Sequence, residues 1–107
     1  MKKLKNIIDV RNFIQDKEIA FLYVSSWECS VCRELLPKVE SVLGKYPAIA
    51  CRHIEAGEIP EVAGELSVFT TPVLLMFIDG KEVIRESRYV MISELEDKID
   101  RFIAMLS

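Results

Sequence analysis

Apolar positions along this chain follow two rhythms. Ile7, Val10 and Ile14 recur at helical spacing and predict a first helix. Ile19-Ala20-Phe21-Leu22-Tyr23-Val24 is instead an unbroken apolar run, the pattern of a short strand covered on both faces. Cys32, Leu35, Leu36, Val39 and Leu43 return to i, i+3, i+4 steps, so a long helix is expected to start near Cys29 and end around Gly44. Residues 48–54 read as a further strand, and residues 58–66 as a short helix with Pro60 in its first turn. Val73-Leu74-Leu75-Met76-Phe77-Ile78 is a second fully buried strand. Asp79-Gly80 then turns the chain tightly into residues 81–88, a hairpin signal. Ile92, Leu95, Ile99, Phe102 and Leu106 close the pattern with an amphipathic helix, capped by Ser93 or a neighbour.

The order is helix, strand, helix, strand, helix, strand, strand, helix. Crossovers first and a hairpin last imply an α/β fold. A central mixed sheet of about four to five strands carries helices on both faces, giving a three-layer α/β/α sandwich. No linker, repeat or low-complexity tract divides residues 1–107, which read as one domain. A chain of this length buries roughly two thirds of the surface it would expose unfolded, and half of its residues are apolar. A core without disulfide staples is therefore expected.

Charge narrows the function classes. The formal charge is −3, with acids and bases mixed along the chain, so no basic patch suits nucleic acid. The basic start at Lys2, Lys3 and Lys5 is followed by Asp9, Arg11 and Asn12, which break any signal-peptide core. The longest apolar runs fall far short of the roughly 20 residues a membrane helix needs. These features lead to the expectation of a cytoplasmic monomer that engages neither nucleic acid nor membrane. In that compartment thiols are held reduced.

The three cysteines, Cys29, Cys32 and Cys51, take their meaning from this context. An odd count argues against a disulfide framework, and a close pair in a cytoplasmic domain points to redox chemistry or metal. Cys29-Ser30-Val31-Cys32 sits at a strand-to-helix junction. One helical turn brings residues i and i+3 to one face, near the ~4.4–6.8 Å Cα separation over which a disulfide closes. Unpaired N–H groups and the helix dipole at the helix start favour a thiolate, the attacking species, on Cys29. Cys32, one turn further, is placed to resolve a mixed disulfide. Two other readings use the same residues. Cys29, Cys32, Cys51 and His53 form a possible zinc set, although strand neighbours roughly 6–7 Å apart are awkward ligands for one tetrahedral ion. A non-catalytic module that holds a peptide beside idle cysteines is the other. Cys51 reads as a small buried strand residue or a third redox centre, Trp27 as a packing residue or a substrate contact, and His53 as a lone surface or sheet-end residue.

The chain resembles the thioredoxin family over nearly its whole length. The resemblance is carried by Cys29-Ser30-Val31-Cys32 at the junction and by Pro37, five residues after the second cysteine. Thr71-Pro72 before the second buried strand, Gly80 in the hairpin and the element order complete it. The resemblance implies Cys29 as nucleophile, Cys32 as resolving thiol, and Pro72 as a cis-proline facing the pair. It further implies that Thr71 offers backbone groups to an extended substrate, as an added strand would. Trp27 then covers one side of the site, while Pro37 and Gly80 are structural. The implied activity is a thiol–disulfide oxidoreductase acting mainly as a reductase of protein or small-thiol disulfides. It needs no cofactor beyond the cysteine pair, and draws electrons from an upstream reductase or a low-molecular-weight thiol.

Several positions depart from the family pattern. Glu28 stands where the family commonly has Trp, and its charge opposes a thiolate on Cys29, with Arg33 offsetting part of that. Tyr23 occupies the place of a buried acid that assists proton transfer, and Cys51 falls near that acid's lysine partner. Arg88 falls near a glycine that keeps the substrate groove open. Ser30-Val31 replaces the Gly-Pro of common thioredoxins and lacks the His of oxidising relatives. Dithiol chemistry is expected to survive, with substrate range and proton transfer altered.

Overall fold

The computed structural model describes residues 1–106 and contains eight elements. In chain order these are α1 (Ile7–Asp16), β1 (Ile19–Ser25), α2 (Ser30–Leu43), β2 (Ala50–Glu55), α3 (Val62–Leu66), β3 (Val73–Ile78), β4 (Lys81–Ser87) and α4 (Ile92–Leu106). The strands form one mixed sheet in the order β2-β1-β3-β4. β1 runs parallel to β2 and antiparallel to β3, and β3 and β4 form the antiparallel hairpin. The start of the chain extends the sheet by a single bridge from Lys3 to His53. Leu4 N–H donates to the His53 carbonyl at 3.0 Å, and His53 N–H to the Lys2 carbonyl at 2.8 Å.

Period-two alternation distributes the strand residues between two cores. Ala20, Leu22, Val24, Val73, Leu75 and Phe77 face α1 and α3, meeting Val10, Phe13, Ile14 and Val62. Ile19, Phe21, Tyr23, Leu74 and Met76 face α2 and α4, meeting Leu35, Val39, Val42, Leu95 and Ile99. All seven residues of β1 are buried, as the unbroken apolar run predicts. Full burial of each large apolar side chain is worth about 1.5–3 kcal/mol, so the central strand is the best anchored element. Its carboxyl end leads directly into the segment before Cys29.

Four boundaries differ from the sequence reading, each for a local reason. β2 begins at Ala50 because Ile49 N–H still closes a turn onto the Tyr46 carbonyl at 3.0 Å. α3 begins at Val62, because Glu58 and Ile59 N–H groups both turn back onto the Glu55 carbonyl. Pro60 therefore precedes the helix rather than opening it. Ser93 is the second residue of α4 and not its cap; the Leu95 N–H already reaches the Met91 carbonyl at 3.0 Å. β4 ends at Ser87 because Arg88 turns the chain away at φ +63°. The hairpin itself follows expectation. Asp79 and Gly80 take φ values of 51° and 81°, the double left-handed geometry that a two-residue hairpin loop demands.

Candidate active site

The junction of β1 and α2 positions the cysteine pair. Cys29 is the N-cap of α2, with extended backbone, and its Sγ accepts the Cys32 N–H at 3.2 Å. This satisfies one of the unpaired N–H groups of the first turn. Cys29 and Cys32 are joined as a disulfide, with Cα atoms 5.3 Å apart. Cys29 is partly exposed, whereas Cys32 is 2% exposed. The asymmetry is that of an outer sulfur open to a visitor and an inner one screened from it. Pro37 lies inside α2, which continues to Leu43; the N–H it lacks leaves the Arg33 carbonyl without a helical partner there.

Behind the pair, the α2 face of the sheet carries a polar cluster. Tyr23 is fully buried and its hydroxyl donates to the Cys32 carbonyl at 2.5 Å. Burial pushes this phenol up to about 12, so it remains a neutral donor at physiological pH rather than a proton acceptor. His53 stands opposite Tyr23 in the β1–β2 register and packs edge-on against its ring, centroids 5.6 Å apart. The second polar contact of His53 is between Nε2 and Ser25 Oγ, at 2.6 Å. His53, which the sequence reads as a lone surface or sheet-end residue, is thus a half-buried strand residue with a bonded ring. Ser25 stands opposite Glu55 in the β1–β2 register, and Glu55 is only 3% exposed. Glu55 Oε1 has no hydrogen-bond partner among the described residues, and Oε2 accepts the Gly57 N–H at 3.4 Å.

Burial is the main cause lowering the His53 imidazole below its usual 6.5; Lys3 and the Met1 amine add to it, against Glu40 and Glu58. The unfolded chain therefore binds the proton more readily than the native one. The stability tied to neutral His53 is present in full above pH 6.5 and is lost as pH falls below that value toward the lowered native one. The urea midpoint is expected to fall as pH is lowered through that window. The slope should flatten in His53→Gln; an unchanged slope would remove His53 as its source.

In front of the pair, a depression of about 380 Å³ is lined by Glu28, Cys29, Ser30, Val31, Thr71, Pro72, Arg88 and Tyr89. The Thr71–Pro72 peptide is cis, and Pro72 is buried while Thr71 is partly exposed. Thr71 Oγ1 and Ser26 Oγ are hydrogen-bonded at 2.9 Å, tying the two loops together. Arg88 N–H donates to the Pro72 carbonyl at 3.3 Å. Large apolar groups stand exposed around this end, including Trp27 at 64% and Tyr89 at 92%. Trp27 does not line the depression. Its indole lies against Gly57, where an added Cβ would meet the ring at 2.8 Å. Arg33, which sequence sets beside Cys32, holds the Trp27 carbonyl at 2.9 Å.

The structure thus brings Cys29, Cys32, Thr71 and Pro72 to one place, with Trp27 outside the depression, against Gly57, and Gly80 in the hairpin. It does not assemble the zinc set. Cys51 stands on β2 opposite Phe21, as a free and partly buried thiol packed on the α2 core. Among the described residues no group of three or more His, Cys, Asp or Glu is arranged to hold a metal ion. Also among them, no helix is long and apolar enough to cross a membrane. Sequence reasoning missed Ser25 and Glu55, and only Glu55 carried a signal, as an acid closing a half-buried strand.

Comparison with known proteins bears on this geometry. A family model described as Thioredoxin matches residues 6–103. The thioredoxin-like protein YdfQ of Bacillus subtilis is 45% identical over 101 residues, spanning 94% of this chain and 90% of that protein. Thioredoxin of Fasciola hepatica superimposes with a TM-score of 0.84 at 27% identity, over 94% of this chain and 98% of that one. Thioredoxin of Plasmodium falciparum gives a TM-score of 0.86 at 17% identity, over 95% and 99%.

Proposed function

The chain belongs to the thioredoxin family, and from that premise we propose that it is a reductase of protein or small-thiol disulfides. Cys29 is the nucleophile and Cys32 the resolving thiol of this reading. A thiol–disulfide oxidoreductase in general is what the family and the Cys29–Cys32 pair support. The single observation that carries the finer reading is the asymmetry of the pair: a partly exposed sulfur at the helix N-cap and a buried one a turn inside.

In the reduced protein, the Cys32 N–H and the amino end of α2 stabilise negative charge on Cys29. The Cys29 thiolate attacks one sulfur of a substrate disulfide. Its bond to that sulfur forms as the substrate S–S bond breaks, and the departing thiolate takes a proton from water. Cys32 then gives up its proton, and its sulfur attacks Cys29 Sγ. The Cys29–Cys32 bond forms and the second substrate thiol leaves. Two electrons pass to the substrate, and an upstream reductase or two low-molecular-weight thiols return them. The Thr71 backbone pairs with the extended substrate segment, the buried Pro72 keeps that backbone facing the sulfurs, and Trp27 contacts substrate at the margin. Pro37 and Gly80 serve the scaffold. The reading takes residues 1–107 as one domain, monomeric and cytoplasmic, with no cofactor besides the cysteine pair.

Cys32→Ser tests this directly, because it removes the resolving step and leaves the first adduct in place. Incubated with a disulfide-bonded protein such as insulin, Cys32→Ser is expected to accumulate a mixed disulfide through Cys29. Mass spectrometry should detect it, and dithiothreitol should release it. Failure to form any adduct under conditions where wild type turns over would overturn the assigned roles.

A further inference from the structure

The front depression contains a cation whose charge is unmatched among the described residues. Arg11 grips Glu65, Arg85 grips Glu82, and Arg33 holds a carbonyl. The guanidinium of Arg88 has no hydrogen-bond or ion-pair partner among the described residues, yet Arg88 lines the same depression as Cys29, Thr71 and Pro72. Its backbone is fixed there by the bond to the Pro72 carbonyl. Arg88 also sits at φ +63°, a conformation glycine takes freely and other L-residues adopt at a cost. An exposed arginine held in that conformation beside the dithiol points to a use for the side chain. Glu28, on the same lining, carries the opposite charge and is likewise unpartnered among the described residues.

Resting on the oxidoreductase reading above, we propose that Arg88 is a specificity determinant that selects disulfides carrying a carboxylate close to the reacting sulfur. Guanidinium groups bind carboxylates with two parallel N–H donors. A carboxylate seated on Arg88 therefore orients the substrate sulfur toward Cys29 without entering the electron transfer. The carboxylate comes either from an acidic residue flanking a protein disulfide or from a small carboxylated thiol in its disulfide form.

Two peptide disulfides, identical except for Glu or Lys beside the cysteine, form the first comparison; dithiodipropionate against cystamine forms the second. Wild type is expected to favour the acidic peptide by about tenfold in kcat/KM at low ionic strength, about 1.4 kcal/mol. The preference should shrink as salt screens the pair. Arg88→Gln should erase it, Arg88→Lys should keep part of it, and Arg88→Gly should erase it while melting at or above the wild-type temperature, which separates lost selectivity from lost folding. A preference shared by the small disulfides assigns small carboxylated thiols; one confined to the peptides assigns acidic protein segments. Equal rates for the two peptides in wild type, or an unchanged ratio in Arg88→Gln, overturn the proposal. Binding of both peptides by the Cys29→Ser/Cys32→Ser protein decides the matter without turnover. If wild type reduces nothing, the reductase reading fails, while the Arg88 assignment stands or falls on whether that protein prefers the acidic peptide.

Discussion

Cys29→Ser is expected to lower disulfide-reductase turnover by at least about a thousandfold. A serine hydroxyl is not ionised near neutral pH and cannot form the mixed disulfide, so neither half of the exchange proceeds. The protein should still fold. Serine is among the favoured N-cap residues, and its oxygen can accept the Cys32 N–H that Cys29 Sγ accepts now. The melting temperature is therefore expected within a few degrees of the reduced wild type. An insulin-reduction assay beside a thermal melt separates the two contributions. Activity kept at wild-type level by a folded Cys29→Ser protein would remove Cys29 from the mechanism.

Phe21→Ala carries the largest expected cost in stability. Phe21 has no exposed surface and occupies the middle of β1, between Cys51 on β2 and Met76 on β3. It belongs to the core that seats α2 and α4. Truncating a buried phenylalanine costs about 3–5 kcal/mol, combining lost transfer energy and the cavity left behind. Domains of this kind have only about 5–15 kcal/mol in total. Urea denaturation should show a midpoint lowered accordingly with little change in slope. A loss below about 1 kcal/mol would mean that the site collapses around the void, contrary to its place on the central strand. The same truncation loosens the support of α2, so a fall in Cys29 reactivity is expected to accompany it.

The pattern of the chain exposed those features whose cause is local. The unbroken run from Ile19 to Val24 had to be a doubly covered strand, because no alternation separates two faces and both cores claim its residues. Cys29 had to stand at a helix start, since the apolar rhythm of α2 begins at Cys32. Asp79-Gly80 had to turn, because that pair tolerates positive φ at both positions. The boundaries that differ moved for local reasons that apolar period does not register, whereas the partners of His53 lie far away in the chain. The start of α3 moved because two N–H groups turned back to the Glu55 carbonyl. His53 reads from sequence as a lone surface or sheet-end residue because nothing near it in the chain announces Tyr23 and Ser25.

Sequence by itself determined the helix and strand segments, the hairpin and the dithiol at a helix start, since each follows from side-chain period or backbone preference over a few residues. Only the tertiary structure decided that Tyr23 meets the Cys32 carbonyl, that His53 and Glu55 back the site, and that Arg88, without a partner among the described residues, shares a depression with Cys29. A period of two says which face of a strand a residue occupies. Which residue it meets there depends on strand register and on how helices seat across the sheet, and those are set by contacts between segments far apart in the chain.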